Sequence, residues 1–246
     1  MNILLTNDDG CDAPGLRAAY DAIRDFGTVR VVAPRDERSA CSHTLSLRSP
    51  IAVEQRVNDE FGAFFAIDGT PADCVRLGIA ELIEDAVDVV VAGVNRGANA
   101  GVDTFYSGTV AGAREGAILG CRSIAVSQAI RRDVETDWKA AASFLKTLIP
   151  ELLSETLPGP GFWNVNLPAP MPDDARDRIH RVPVAIDALP PEFDRVEQGD
   201  AENKHAEYRY GRLPAYWDRP VTEGTDFAVI VAGGVSVSAV PFRGTW

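Results

Sequence analysis

Lysine is nearly missing from this 246-residue chain: it supplies 3 of the 24 basic residues, and none lies within residues 1–130. Histidine is as scarce, with only His43, His180 and His205, and the four cysteines, Cys11, Cys41, Cys74 and Cys121, are scattered with no CxxC pair. That spacing argues against a structural zinc site and against a disulfide framework, and leaves the cysteines as small buried hydrophobes. Any metal here is expected to be a hard cation on oxygen ligands, magnesium or manganese in type. No apolar run approaches the roughly 18 residues that span a bilayer, and the first residues lack the basic region and cleavage site of a signal peptide, so the expectation is a cytoplasmic protein. Asp and Glu number 36, for a net charge of −12. With no local basic patch, such a surface repels a nucleic-acid polymer.

What is present is an ordinary globular balance, 46% hydrophobic and 24% charged, enough for a sizeable core. Short β-branched runs alternate with stretches of helical period, the pattern of βαβ units, so the fold class is α/β with a mostly parallel sheet flanked by helices. Strands are expected at 2–6, 29–33, 87–92 and 123–126, and helices at 14–26, from Thr70 to about Leu82, at 109–119 and at 138–153. Thr70, Pro71 and Asp73 read as N-cap, N1 proline and acidic N3 residue. Past about residue 155 the texture turns rich in loops, Pro and Gly, with strands expected at 162–167 and at 227–240, the latter interrupted by Gly233 and Gly234. Residues 1–246 read as one domain: a core over 1–155 and a C-terminal loop and strand extension over 156–246, packed on the sheet and available for subunit contacts.

In open α/β sheets the ligand sits beyond the carboxyl ends of the strands, which singles out four loops. The first holds Asn7-Asp8-Asp9-Gly10, where adjacent carboxylates repel unless solvated or bound to a cation; a plain Asp-Gly turn is the other reading. The second offers Ser39, as a neutral oxygen ligand or a surface cap. The third, Gly93 to Gly101, has three glycines in nine residues and the carboxamide of Asn95, an uncharged ligand for a hard cation. The fourth, Tyr106-Ser107-Gly108-Thr109, opens a helix, and its amides and hydroxyls form either a phosphate cradle or an ordinary cap. Without lysine, a phosphate held there is neutralised by metal, arginine and backbone dipoles, with Arg96 a candidate. No GxxxxGK[ST], strand-following GxGxxG or GxSxG occurs, and Gly112 and Gly116 fit close helix packing. Water activated by a metal and attacking a phosphoester is the simplest chemistry left.

These stretches, Ile3 to Gly10, Val32-Ala33-Pro34 with Ser39, Gly69 to Val75, Gly93 to Asn99, Tyr106 to Val110 and Asn164-Val165-Asn166-Leu167-Pro168, occur in the order of, and together resemble, the SurE family of survival-protein nucleotidases. The resemblance implies a Rossmann-like sheet, one divalent cation (Mg2+ or Mn2+) per subunit on the positions matching Asp8, Asp9, Ser39 and Asn95, and hydrolysis of nucleoside 5'-monophosphates, with 3'-nucleotides and other phosphoesters also in range. Asp8, Asp9 and Asn95 then carry the catalysis, either carboxylate assisting proton transfer, while Asn99, Ser107, Gly108 and Thr109 hold the phosphate. The resemblance also implies a homodimer or homotetramer with contacts after about residue 205. The chain departs from the family in having Ala40 after the motif serine and in its tail from Tyr208 to Trp217, so a nucleotide-binding regulatory module that has lost hydrolysis is the competing reading. An aspartyl-phosphate route through Asp8 is less favoured, because the two aspartates are adjacent. The acidic excess is spread along the chain, −7 over residues 1–130 and −5 over the rest, which suggests adaptation to high salt.

Overall fold

The computed structural model describes residues 1–189, 192–196, 207–210 and 216–242. Its first half runs β1 (Asn2–Thr6), α1 (Pro14–Ile23), β2 (Thr28–Pro34), β3 (Val53–Asn58), β4 (Gly62–Ile67) and α2 (Pro71–Leu77), which ends in a π turn over Gly78–Leu82. Then come β5 (Val89–Arg96), α3 (Asp103–Tyr106), α4 (Gly108–Ile118), β6 (Arg122–Gln128) and α5 (Trp138–Ser154). The last third holds β7 (Gly161–Leu167), β8 (Ile179–Arg181), β9 (Phe193–Val196), β10 (Glu207–Tyr210), α6 (Asp226–Val231) and β11 (Val235–Pro241).

Nine strands form one sheet in the order β3-β4-β2-β1-β5-β6-β7-β11-β8. The run from β4 to β7 is parallel, whereas β3 and β11 are antiparallel to β4 and β7. The period of two along each strand sorts side chains between the faces. Ile3, Leu5, Val89 and Val91 join Leu16 and Ile23 of α1 and Leu145, Leu148 and Leu152 of α5 in one core. Leu4, Val32 and Val90 pack on Cys74 and Val75 of α2, and Ala92 and Ala125 on Val110 and Ala113 of α4. With both faces covered, β1 and β5 are continuous apolar runs, and each fully buried Leu or Ile contributes about 2 kcal/mol of transfer free energy. Gly116 lets α4 lie close on the sheet: a Cβ there would stand 2.6 Å from a Val90 methyl and 2.7 Å from the Ser123 hydroxyl.

Three sequence expectations change. Phe227 to Val231 is not strand but helix α6; a short continuous apolar run has no periodicity to separate the two, and only Val235–Pro241 is strand. The hairpin β3–β4 was not anticipated, because β3 is mostly exposed and reads Val-Glu-Gln-Arg-Val-Asn. A separate antiparallel pair, β9 with β10, lies in the acidic stretch. His205 and residues 211–215 of the unusual tail lie outside the described residues.

Candidate active site

Strand β1 pairs with β2 on one side and β5 on the other, so the chain turns away in opposite directions beyond their carboxyl ends and leaves a crevice there. The loop after β1 is held in shape by Asn7, whose side-chain amide donates to the Gly10 carbonyl at 2.8 Å, and by Gly10 at φ +99°. It is tied to the loop after β2 through the Arg38 amide, which donates to the Asp8 carbonyl at 2.7 Å. In β5 the register on β6 shifts between Ala92 and Asn95. This bulge, which redirects the strand end, runs through Gly93 at φ +137°, where a Cβ would sit 2.2 Å from the Val126 carbonyl oxygen.

Asp8, Asp9, Ser39, Asn95, Asn99 and Ser107 converge on one cleft of about 330 Å3. Asp8 is 5% exposed, and its carboxylate accepts from the Thr109 hydroxyl. Burial, with the Asp9 charge beside it, pushes its carboxyl up to about 6 despite the Thr109 bonds. Asp9 accepts from the Arg96 amide at 2.9 Å, and burial with the Glu37 charge also raises its pKa. The Asn95 side-chain nitrogen donates to the Gly97 carbonyl at 2.6 Å, which leaves its Oδ1 as an open acceptor. The Ser39 hydroxyl donates to Glu37 and keeps lone pairs free. Among the described residues no three His, Cys, Asp or Glu side chains group as metal ligands. The oxygen set is instead two carboxylates, a carboxamide and a hydroxyl, and this composition fits a hard divalent cation, whose charge would offset the burial and the neighbouring negative charges that raise both aspartates.

Thr109 is fully buried and its hydroxyl is committed to Asp8, so it positions the carboxylate and does not line the cleft. Gly108 acts by what it lacks: a Cβ would lie 2.9 Å from Asp8 Oδ2 and 2.8 Å from Cys41 Sγ. Ser107 caps α4, its oxygen accepting from the Val110 amide at 3.1 Å. Asn99 is anchored from three sides. Its amide donates to Asn166 Oδ1 at 2.7 Å, its carbonyl accepts from Asn164 and Asn166, and its side-chain nitrogen donates to Ser127 at 2.8 Å.

A family profile described as Survival protein SurE matches residues 3–185. The chain belongs to the SurE family. Among its relatives, 5'-nucleotidase SurE of Geobacter sulfurreducens is 42% identical over 97% of this chain and 87% of its own length. A putative 5'-nucleotidase of Synechocystis is 39% identical over 97% and 98%. The crystal structure of SurE protein from Aquifex aeolicus matches with a TM-score of 0.79 at 32% identity, covering 100% of this chain and 95% of that one.

Some residues that build this SurE-family cleft were not singled out in the sequence. Glu37 and Asp103 also line it, beside Tyr106 of the fourth loop; Asp103 pairs with Arg219 at 2.6 Å. Asp226, fully buried, accepts from the amides of Gly101, Ala185 and Phe227 at 2.8–3.0 Å and ties the loop after β5 to the C-terminal third. Asp226 sits against the apolar run Phe-Ala-Val-Ile-Val, and no local pattern marks it as part of the site. The Asn164-Val165-Asn166 motif does carry a signal, since alternation puts both carboxamides on one side of β7, but its partner loop is about 65 residues away.

Proposed function

We propose that this SurE-family protein hydrolyses nucleoside 5'-monophosphates, and also 3'-nucleotides and other phosphomonoesters, to the alcohol and inorganic phosphate in a metal-dependent reaction. The observation that carries the reading is the convergence of Asp8, Asp9, Ser39 and Asn95 on one cleft at the carboxyl ends of β1, β2 and β5. These four side chains would hold Mg2+ or Mn2+. When bound, such a cation supplies charge for the phosphoryl oxygens and acidity for an attacking water.

The rest of the chemistry falls to the chain. One hydrogen of the Asn99 carboxamide is committed to Ser127, and the other is available to a phosphate oxygen. The N-terminal end of α4 at Ser107 and Gly108 adds amide dipoles. Arg96, exposed and with no hydrogen bond or ion pair to its guanidinium among the described residues, borders the cleft and offers a positive charge. Water attacks phosphorus, Asp8 or Asp9 takes the proton that water gives up, and that proton passes to the ester oxygen as it departs with the nucleoside, giving the alcohol and inorganic phosphate. The Thr109 bond keeps one Asp8 oxygen fixed through these steps.

Release of inorganic phosphate from AMP and GMP with Mg2+ or Mn2+, then with EDTA, tests the reading. We expect release with metal only, and a loss of at least about 100-fold in kcat/KM for Asp8→Asn and Asn95→Ala. Nucleotide binding without metal-dependent release would instead identify a regulatory module. A cytoplasmic homodimer or homotetramer is part of the same reading. The separate ribbon β9–β10, with Phe193 and Tyr208 exposed, supports contacts in this region, and light scattering on the eluted protein checks the mass.

A further inference from the structure

A second cleft, of about 370 Å3, opens beside the first and shares Asp9, Glu37 and Arg96 with it. The two are adjacent, with these three residues on their common border, and a ligand whose phosphate lies at Asp8 and Asp9 reaches the second by passing Arg96. There the chemistry of the wall changes. The indole of Trp138 borders it, half-buried, and Asp12 presents an exposed carboxylate with no hydrogen bond among the described residues. Arg35, also on this wall, is already engaged with Asp36 and Asp68.

Trp138 is held in place. Asp137 caps α5 by accepting from the Lys139 and Ala140 amides at 3.1 and 2.9 Å, which fixes the first turn where Trp138 stands. Part of the ring packs against the α1–α5 core, and Gly15 lies under its edge, where a Cβ would be 3.2 Å from Cζ3. The same missing Cβ would be 1.9 Å from the Val94 carbonyl oxygen, so Trp138 is registered against the β5 bulge that carries Asn95. The exposed part of an indole fixed beside a polar cleft is an aromatic surface for a base, and base–aromatic stacking is tolerant of which base is present.

We infer that this second cleft is the nucleoside subsite: the base stacks on Trp138, the sugar lies near Asp9, Glu37 and Arg96, and Asp12 accepts a hydrogen bond from a hydroxyl or amino group of the nucleoside. The inference rests on the phosphomonoesterase reading and specifies which esters are preferred. Trp138 binds substrate and takes no part in bond breaking. Its contribution therefore appears for esters with a base and is missing for esters without one.

The experiment compares kcat/KM for AMP and for glycerol 3-phosphate in the full-length, metal-loaded protein and its variants. In Trp138→Ala the AMP to glycerol 3-phosphate ratio should fall about tenfold, mainly through KM for AMP. In Trp138→Phe, which keeps a ring and the core packing, it should stay within about threefold of wild type. A purely structural role would lower both substrates together and leave the ratio alone, and that result overturns the inference. So does a ratio that falls in Tyr106→Ala and not in Trp138→Ala, which would put the nucleoside on the far side of the first cleft. A wild-type protein inactive on every monoester would refute the phosphomonoesterase reading itself, whereas a wild type active on AMP with an unchanged Trp138→Ala ratio refutes the subsite alone.

Discussion

Asp8 illustrates how a single residue links the stability of this protein to its chemistry. Its carboxyl is raised from 3.8 to about 6, so the fold favours the protonated form. Below about pH 4 both folded and unfolded chains hold the proton and there is no cost. Between about pH 4 and 6 the unfolded chain releases it first, and above about pH 6 the ionised folded state bears the whole penalty, about 3 kcal/mol. In EDTA, Asp8→Asn should therefore gain stability relative to wild type as pH rises from about 4 to 7, by up to about 3 kcal/mol in denaturant titrations. A difference that stays flat with pH would refute this. Adding Mg2+ should raise the wild-type melting temperature and leave Asp8→Asn unmoved, because the cation offsets a charge that the variant lacks. The adjacency of Asp8 and Asp9 was plain in the sequence, but the cause of the raised pKa was not. It comes from burial beneath α4 together with the Asp9 charge, and the Thr109 hydroxyl 101 residues away, which the sequence suggested for phosphate, works against the rise.

Among the elements, α4 is the one whose position sets the site. It is amphipathic only weakly and carries Gly108, Gly112 and Gly116 on the side that meets the sheet and Asp8. Gly108→Ala should press the helix end away from the carboxylate and lower kcat/KM at least about tenfold, while Gly159→Ala, where a Cβ meets nothing within 4 Å, should be silent; steady-state kinetics with a melting curve for each variant decides it. Close packing explains these glycines; the sequence pointed that way for Gly112 and Gly116, whereas it placed Gly108 with the phosphate. The parallel strands were equally legible, because burial on both faces makes them long apolar runs. The capping box of α2 was written in Thr70 and Asp73, and the structure adds that Asp73 also accepts from the Ser46 amide and hydroxyl, at 3.0 and 2.7 Å. Less legible were β3, whose exposed side chains leave no stripe, and α6, whose residues suit either a strand or a helix. In both, tertiary pairing outweighs local preference.

Over the whole molecule the acidic excess is even, and many of the described basic side chains are exposed arginines paired with single carboxylates, as in Arg176 with Glu151 and Arg181 with Glu155. Such pairs contribute little each in water, and the unpaired acids repel one another until salt screens them. The melting temperature should rise between about 0.1 and 2 M KCl; a fall, measured by calorimetry, would argue for an ordinary acidic protein. The same scale gives Asp226 a meaning beyond its three amide bonds. Synthesis runs from the first residue to the last, so the carboxylate that fixes Gly101 leaves the ribosome after every side chain that lines the cleft. Until it does, the loop carrying Asn99 lacks one of its anchors. A chain stopped short of residue 226 would hold all the side chains that line the cleft and lack both this brace and the last strand beside β7, so the parts of the site are made well before the structure that aligns them.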